Sequence, residues 1–184
     1  MLAEARRDMW RMPPLVVAVA AVAVSACGEQ PGTADADRYS AELQPLNDSG
    51  VEGRARLSRE GEHLTVRVKA DGLTRHQVHG QAIHGFVADR EAAECPSEEF
   101  GEDRIGPKEG ASQYGRRLRK LEPFPTVRSD GDLNYQLTFN IDPDKLEPLE
   151  TRTIVLRGTS EGGRYRPELP VACGRIRLAA RGGA

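Results

Sequence analysis

Three segments of the chain alternate apolar and polar residues at every second position, and this pattern limits the possible folds more than any other feature. In residues 133–141 every odd-numbered side chain is apolar or aromatic and every even-numbered one is polar. Residues 51–57 and 64–70 repeat the pattern, with small or apolar residues on one parity and polar or charged residues on the other. Successive side chains of a strand point to opposite faces of a sheet, so this alternation predicts half-buried β-strands.

Turn-forming residues separate these segments and complete the pattern of an all-β fold. Residues 153–156 form a short run typical of a buried strand, and residues 171–178 supply the last strand pattern. Clusters of asparagine, aspartate, glutamate, serine and glycine favour turns, and they occur at residues 47–50, 60–61, 71–72, 130–132 and 162–163. Short strands joined by such turns predict an antiparallel β-sandwich or barrel.

Residues 87–130 depart from the strand pattern, and we expect them to form one long irregular loop insertion that is rich in charge. A weak helical pattern at 113–121 predicts a turn or two of helix within it. Residues 98–110 faintly resemble a calcium-binding EF-hand loop, but Phe100 and Asp103 stand where that loop needs an oxygen ligand and a glycine. An acidic loop is therefore the better interpretation.

Two other motifs have simple structural interpretations. Residues 158–162 fit G-x-S-x-G, the pattern around a nucleophilic serine, but no histidine follows His84 in the chain. That type of hydrolase needs a helix after the serine and a later histidine, so we interpret the motif as a hairpin. The charged segments 150–152 and 164–166 are interpreted as strand flanks that keep the sheet edges soluble.

The first 26 residues have the pattern of a lipoprotein signal peptide. Three arginines precede an apolar stretch at 13–24, which is too short for a membrane-spanning helix because such a helix needs about 20 residues. Residues 24–27 resemble the bacterial lipobox, which implies cleavage before Cys27 and lipidation of that cysteine. Plain secretion with cleavage after Ala26 is the alternative.

The rest of the chain is expected to comprise a tether, one domain and a tail. Residues 27–38 hold the lipidated cysteine and a small, polar tether, residues 39–178 form the β-sandwich, and residues 179–184 form a disordered tail. Because two or more acyl chains hold a protein firmly, we expect attachment to the extracytoplasmic face of the cell membrane through the lipid anchor. The candidate start residues are Met1, Met9 and Met12.

The composition argues against two classes of protein. With 38% hydrophobic and 29% charged residues, the chain is neither disordered by composition nor membrane-spanning throughout. Its net charge of −2 argues against nucleic acid as a partner, because a nucleic-acid binder needs a strong basic excess.

Cys95 and Cys173 remain once Cys27 is assigned to the anchor. An exported chain meets an oxidising compartment, so a disulfide between them is the expected state. The alternative is two thiols that bind a metal, although C-x-x-C spacing is absent.

All four histidines fall between positions 63 and 84, and the spacing of His76, His79 and His84 is compatible with a copper or zinc cluster. On a regular strand His76 and His84 share one face and His79 lies on the other, unless a bulge at Gly80 brings it round. The interpretation we favour is that these are surface or hydrogen-bonded histidines near the end of a sheet.

Three segments together resemble the copper/zinc superoxide dismutases. Residues 72–86 are similar to the strand that carries an H-x-H copper motif in that family, residues 152–157 to its R-T-x-V-V-H segment, and residues 171–176 to its L-A-C-G terminus. The similarity extends over about residues 39–178. The resemblance implies a Greek-key β-sandwich or flattened barrel in which Cys95 pairs with Cys173.

The beginning of this expected domain, residues 41–53, also resembles secreted bacterial proteins with a CHRD (chordin-type) domain, which we judge the closer relatives. Residues 41–53 carry the A-E-L-x-P-L-N-x-S-G-V-x-G pattern of those proteins. The acidic loop and the pair Tyr114 and Gly115 fit them as well.

Departures from the dismutase pattern fall on its metal ligands. Ala82 stands in place of the first histidine of H-x-H, and His84 retains the second. Arg157 replaces another copper ligand, and Pro170 replaces the catalytic arginine. A redox metal needs several donors in fixed geometry, so we expect no dismutase activity.

The sequence therefore predicts a lipid-anchored, extracytoplasmic and non-catalytic β-sandwich that acts as a binding or structural module without a cofactor. It would present residues 87–130 to an extracytoplasmic protein or a small ligand. The alternative is a copper- or zinc-binding protein with residual dismutase-like activity that uses His76, His79 and His84.

Overall fold

The computed structural model describes residues 37–87, 91–97 and 104–179, and β-strands dominate them. In this part of the chain nine strands follow one another: β1 (Asp37–Pro45), β2 (Glu52–Glu60), β3 (His63–Asp71), β4 (Gln81–Gly85), β5 (Arg116–Lys120), β6 (Leu133–Asn140), β7 (Thr153–Glu161), β8 (Arg164–Arg175) and β9 (Arg177–Leu178). Two short helices and a 3-10 helix accompany them: α1 (Pro107–Tyr114), α2 (Pro143–Leu146) and Leu149–Thr151. Among these residues no helix has the length and apolar content to cross a bilayer.

Strands β2, β3 and β6 lie where the alternating pattern predicts them. In β3 the even-numbered residues from Leu64 to Ala70 are all buried, and the residues between them are exposed or half-buried. This strand pairs antiparallel with β2 on one side and with β6 on the other, so that Val68 lies opposite Ala55 and Tyr135. The hairpin expected at residues 158–162 is also present, since the β7–β8 turn follows at Gly162 and Gly163.

The insertion between β4 and β6 is more regular than predicted. The helix expected at 113–121 is wrong: α1 ends at Tyr114, and the next residues form β5, which pairs with β4 through Ala82 and Lys120. Gly115 follows the helix with a φ of 75°, a conformation that glycine adopts without strain. The sequence did not indicate a strand here because Leu118 is the one apolar residue of β5.

The strands form one antiparallel sheet in the order β5-β4-β7-β8-β1-β2-β3-β6, with β9 also paired to β1. Strand β1 joins the two halves of this sheet. It pairs with β2 from Asp37 to Leu43, and then with β8 through Gln44 and Pro45. At this crossing a Cβ on Gly174 would lie 2.5 Å from the carbonyl oxygen of Glu42, so the close approach requires glycine.

The main core lies between the two halves. One half contributes Ile83, Ile154 and Leu156, and the other contributes Leu57, Leu64 and Val66, all at most 2% exposed. Burial of one such side chain contributes about 1.5–3 kcal/mol. This shared core places the two halves face to face.

Side chains connect the two ends of the sheet. The guanidinium of Arg119 in β5 lies 4.5 Å from the ring centroid of Phe139 in β6. The hydroxyl of Tyr135 in β6 donates to the carbonyl oxygen of Leu121 at 2.9 Å. Because β6 lies beside β3 and faces β5, strands β3 to β6 have Greek-key order. The predicted fold class, an antiparallel Greek-key β-sandwich or flattened barrel, is confirmed.

A second apolar cluster lies on the opposite face of β7 and β8, beneath the insertion. Leu46, Tyr114, Val155 and Cys173 form it. The predicted disulfide joins Cys95 to Cys173. The side chain of Asn47 adds a polar contact, because its amide nitrogen donates to the carbonyl oxygen of Ile105 at 3.0 Å and its oxygen accepts from the Ile105 N–H at 2.7 Å.

We expect the disulfide to contribute strongly to stability because it closes a loop with a sequence separation of 78 residues. The loop-entropy relation gives an upper figure of about 4–5 kcal/mol. Reduction of the wild-type protein should therefore lower the denaturant midpoint of unfolding. The Cys95→Ala/Cys173→Ala variant should show a low midpoint that reductant does not change. An identical midpoint for oxidised and reduced wild-type protein would contradict the expectation.

Candidate functional site

The candidate site centres on His84, which lies in β4 between β5 and β7 and is 2% exposed. Its Nδ1 lies 3.2 Å from the carbonyl oxygen of Gly115, and its Nε2 lies 3.4 Å from Nη2 of Arg157. A guanidinium can only donate, so Nε2 accepts and the proton belongs on Nδ1, which donates to the carbonyl. Both ring nitrogens of the neutral imidazole therefore have partners.

Arg157, in β7, supplies a buried positive charge next to this imidazole and is 5% exposed. Its Nη1 donates to the carbonyl oxygen of Glu168 at 2.9 Å, and its Nη2 also contacts the hydroxyl of Tyr114 at 3.3 Å. The guanidinium carbon lies 5.6 Å from the Tyr114 ring centroid. The ion pairs found among the described residues do not include Arg157, so its acceptors are all uncharged.

Tyr114, which belongs to the insertion, covers one side of the site. It is the last residue of α1 and is fully buried, and its ring meets the His84 ring edge to face with 4.9 Å between centroids. The next residue, Gly115, passes so close to β4 that a Cβ there would lie 2.4 Å from the carbonyl carbon of Gly85. The insertion can therefore seat Tyr114 and the Gly115 carbonyl against His84 only because a glycine follows the helix.

The pKa of His84 is lowered to about 4, mainly by burial and also by the positive charges of Arg157 and Arg117, and the Gly115 carbonyl opposes this shift. The imidazole is consequently neutral at pH 7. A proton on Nε2 would face the Arg157 guanidinium and would remove the acceptor for Nη2.

His79 is fully buried, and both of its ring nitrogens face main-chain carbonyl oxygens. Nδ1 lies 3.1 Å from the oxygen of Arg157, and Nε2 lies 2.9 Å from the oxygen of Thr74. The ring also packs edge to face on Tyr165, with 5.7 Å between centroids. Burial lowers the pKa of His79, although its carbonyl partners oppose this shift.

The three candidate metal ligands do not converge. His76 is exposed and has a φ of 58°, whereas His79 contacts the main chain of Arg157 and His84 contacts its side chain. Across residues 37–87, 91–97 and 104–179, no group of three His, Cys, Asp or Glu side chains is placed to hold a metal ion. With its two buried imidazoles committed to carbonyl and guanidinium partners, this donor set does not fit copper or zinc.

A small cleft with a volume of about 100 Å³ adjoins Arg157. Arg117 and Lys120 of β5 line it, together with Ala82, Phe124 and Glu168. Arg117 lies 3.4 Å from a carboxylate oxygen of Glu168, and Lys120 lies 3.3 Å from one of Glu122. The charged side chains of the wall are three cations and one carboxylate, so the cleft is electropositive.

The sequence did not indicate how the site is assembled. It singled out His84 and noted Arg157 only as a departure from the dismutase pattern. The interpretation of residues 113–121 as helical hid the basic strand that lines the cleft. An arginine within the buried run that starts at residue 153 was the available signal, because arginine is almost never fully buried unless it is paired.

Arg152 also departs from its sequence-based interpretation as a solvated strand flank. It is 1% exposed, and its three nitrogens donate to the carbonyl oxygens of Leu146, Phe86 and Glu147 at 3.3, 2.8 and 3.1 Å. The physical reason is that this guanidinium provides donors for three buried or half-buried main-chain carbonyl oxygens, which need hydrogen-bond partners.

Other predictions lie wholly or partly outside the described residues. The signal peptide, Cys27 and most of the tether at 27–38 precede Asp37, and residues 180–184 of the predicted tail follow the last described residue. Residues 98–103 of the calcium-loop alternative are likewise outside, and the loop's remaining residues lead into α1 through Gly106 and Pro107.

The chain matches no protein-family model and no curated protein sequence. Among solved structures it is similar to a variant of superoxide dismutase 5 from Candida albicans, with 13% identity and a TM-score of 0.46 over 80% of this chain and 96% of that chain. The Cu(II) form of the same dismutase gives 12% identity and a TM-score of 0.45 over 81% and 96%. Copper is named for that dismutase, whereas metal binding by the present chain is judged from its own side chains.

We expect acid to destabilise the protein through His84. The unfolded chain takes up this proton near pH 6.5, whereas the folded chain takes it up near pH 4. The stabilisation is therefore complete above pH 6.5 and is lost as the pH falls toward 4, by about 3 kcal/mol. Asp130 and Asp142 have lowered pKa values, so they take up protons below the pH range in which His84 titrates.

Denaturant unfolding between pH 4 and pH 7.5 measures this effect. The His84→Gln variant should be less stable at pH 7 but should lose less free energy of unfolding on acidification. The remaining pH dependence of the variant's free energy of unfolding would reflect His79. Equal slopes for the variant and the wild type would show that His84 does not carry the effect.

Proposed function

We propose that this chain is a lipid-anchored, extracytoplasmic β-sandwich protein that binds a ligand and catalyses no reaction. The observation that carries the proposal is the buried guanidinium of Arg157, whose Nη2 lies 3.4 Å from Nε2 of His84. A permanent cation of the protein occupies the position in front of the imidazole from which a metal or a substrate proton would have to approach.

The guanidinium argues against metal binding at this imidazole. A metal bound to a histidine nitrogen lies about 2.0–2.1 Å from it, which would place the ion against Nη2 of Arg157. Two unit charges about 4 Å apart interact by about 4 kcal/mol at an effective dielectric constant of about 20. A divalent ion would meet about twice that repulsion and would have a single imidazole as its ligand.

Acid–base catalysis by His84 is disfavoured for a related reason. A general base works best when its pKa lies near the working pH, and the pKa of His84 lies near 4. Its accepting nitrogen already receives a hydrogen bond from Arg157. Binding is the role that a fixed, neutral imidazole and a fixed cation can perform.

The anchor and the cellular location rest on the sequence alone. The lipobox-like segment ends at Cys27, and β1 begins at Asp37, so a short polar tether would connect the lipid to the sandwich. The lipid would hold the protein at the membrane while the insertion, fixed by the Cys95–Cys173 disulfide, stays on the rigid sheet. Loops fixed on a rigid scaffold are common binding surfaces.

Copper content tests the non-catalytic role. Protein expressed in copper-supplemented medium should contain far less than one copper per chain by elemental analysis. It should show no dismutation of superoxide beyond that of a protein-free control. The His84→Ala variant should give the same two results. Stoichiometric copper in the wild type that the variant lacks would overturn the proposal and favour the metal-binding alternative.

Cell fractionation with a labelled fatty acid tests the anchor. The Cys27→Ser variant should lose the lipid label and should either appear in the soluble fraction or retain its signal peptide. The Cys95→Ser/Cys173→Ser variant is the matched control, because it also loses cysteines but should keep the label. A labelled, processed and membrane-bound Cys27→Ser protein would contradict lipidation at this residue.

A further inference from the structure

Among the described residues, the buried cation Arg157 has no anionic partner. Buried charges in proteins are paired or hydrogen-bonded because removing them from water is costly, and a guanidinium cannot lose its proton to avoid that cost. The acceptors of Arg157 are the carbonyl of Glu168, the hydroxyl of Tyr114 and the imidazole of His84. None of them carries a negative charge at pH 7.

The guanidinium is also incompletely hydrogen-bonded. Its Nε–H is buried and has no partner within the described part of the chain. Arg152 provides an internal comparison, because its Nε, Nη1 and Nη2 all donate to carbonyl oxygens and it does not line the cleft. Every guanidinium nitrogen of Arg152 thus has a protein acceptor, whereas Arg157 forms part of the cleft wall and its Nε has none among the described residues.

Two more cations stand on the wall of the same cleft. The side chains of Arg117 and Lys120 are partly exposed, and each has a single carboxylate neighbour at more than 3.2 Å. Exposed pairs of this kind are weak, so both side chains can turn toward a better acceptor. The wall therefore combines one fixed buried cation with two adjustable ones.

We propose that this cleft binds a small oxyanion, a carboxylate or phosphate group, with Arg157 as its fixed counter-charge and Arg117 and Lys120 as its clamps. The proposal rests on the binding role proposed above and names the ligand class for it. The cleft volume of about 100 Å³ is several times the minimum of about 10–15 Å³ that one water molecule needs, so the cleft has room for a small anion. Phe124 and Pro167 add an apolar side to the wall.

Calorimetric titration of the full chain with inorganic phosphate and with acetate tests the site, with chloride at equal ionic strength as the reference. Saturable binding of one anion per chain is expected, together with a rise in melting temperature. Arg117→Gln and Lys120→Gln should each weaken binding about fivefold or more, because each removes one charge-assisted hydrogen bond. Comparing the titrations with phosphate and with acetate shows whether the cleft prefers a phosphate or a carboxylate group.

Two further variants make the test specific. Arg116→Gln removes the same charge from the same strand at an exposed residue outside the cleft wall, so it should bind as the wild type does. Glu168→Gln removes the wall carboxylate but keeps the carbonyl that Arg157 uses, so it should bind more tightly. None of these exposed positions is needed for the core, so the result does not depend on whether an Arg157→Gln variant folds.

The absence of saturable binding of both anions would overturn the proposal. So would equal weakening by Arg116→Gln and Arg117→Gln, because that would indicate diffuse surface charge. Copper content reports separately on the non-catalytic role. Stoichiometric copper with intact anion binding would remove that role alone, whereas copper-free protein that fails the titration would remove the anion site alone.

Discussion

The division of one strand between two partners is the constraint on which the rest of the structure depends. Strand β1 pairs with β2 along most of its length and with β8 through Gln44 and Pro45. Because one strand belongs to both halves, the sheet must bend there, and the apolar faces of β2, β3 and β6 come to oppose those of β4 and β7 around one core. The absence of a side chain at Gly174 permits the crossing, since a Cβ would meet the Glu42 carbonyl.

The same bend leaves the other face of β7 and β8 open, and the insertion covers it. Three fixed points hold the insertion: the Cys95–Cys173 disulfide, the Asn47 contacts with Ile105 and the seating of Tyr114 on His84. Ordering the insertion costs conformational entropy. These three contacts offset that cost at separate positions, without a large apolar interface. A cover built in this way can bury Arg157 and still leave a cleft beside it.

The alternating pattern predicted β2, β3 and β6, whose two faces differ, but the sequence analysis missed β1 and β5. Alternation located β2, β3 and β6 because one face of each is buried, whereas β5 carries Leu118 among four cations and therefore shows no alternation. Burial of Arg152 and Arg157 was missed for a related reason. Their partners include the Phe86 carbonyl, the Tyr114 phenol and the His84 imidazole, which lie 43 to 73 residues away along the chain, and such acceptors leave no local pattern.

The contrast between the two buried arginines separates structural from functional charge. Arg152 donates from each of its three guanidinium nitrogens to a carbonyl oxygen, so the fold itself supplies an acceptor for every nitrogen of this cation. Arg157 is also buried, but its Nε–H has no partner among the described residues, and its neighbours Arg117 and Lys120 add positive charge beside it. If Arg157 served stability alone, an apolar residue at this position would avoid the cost of burying an unpaired charge. Its persistence beside a cleft fits a cation whose counter-charge comes from outside the chain.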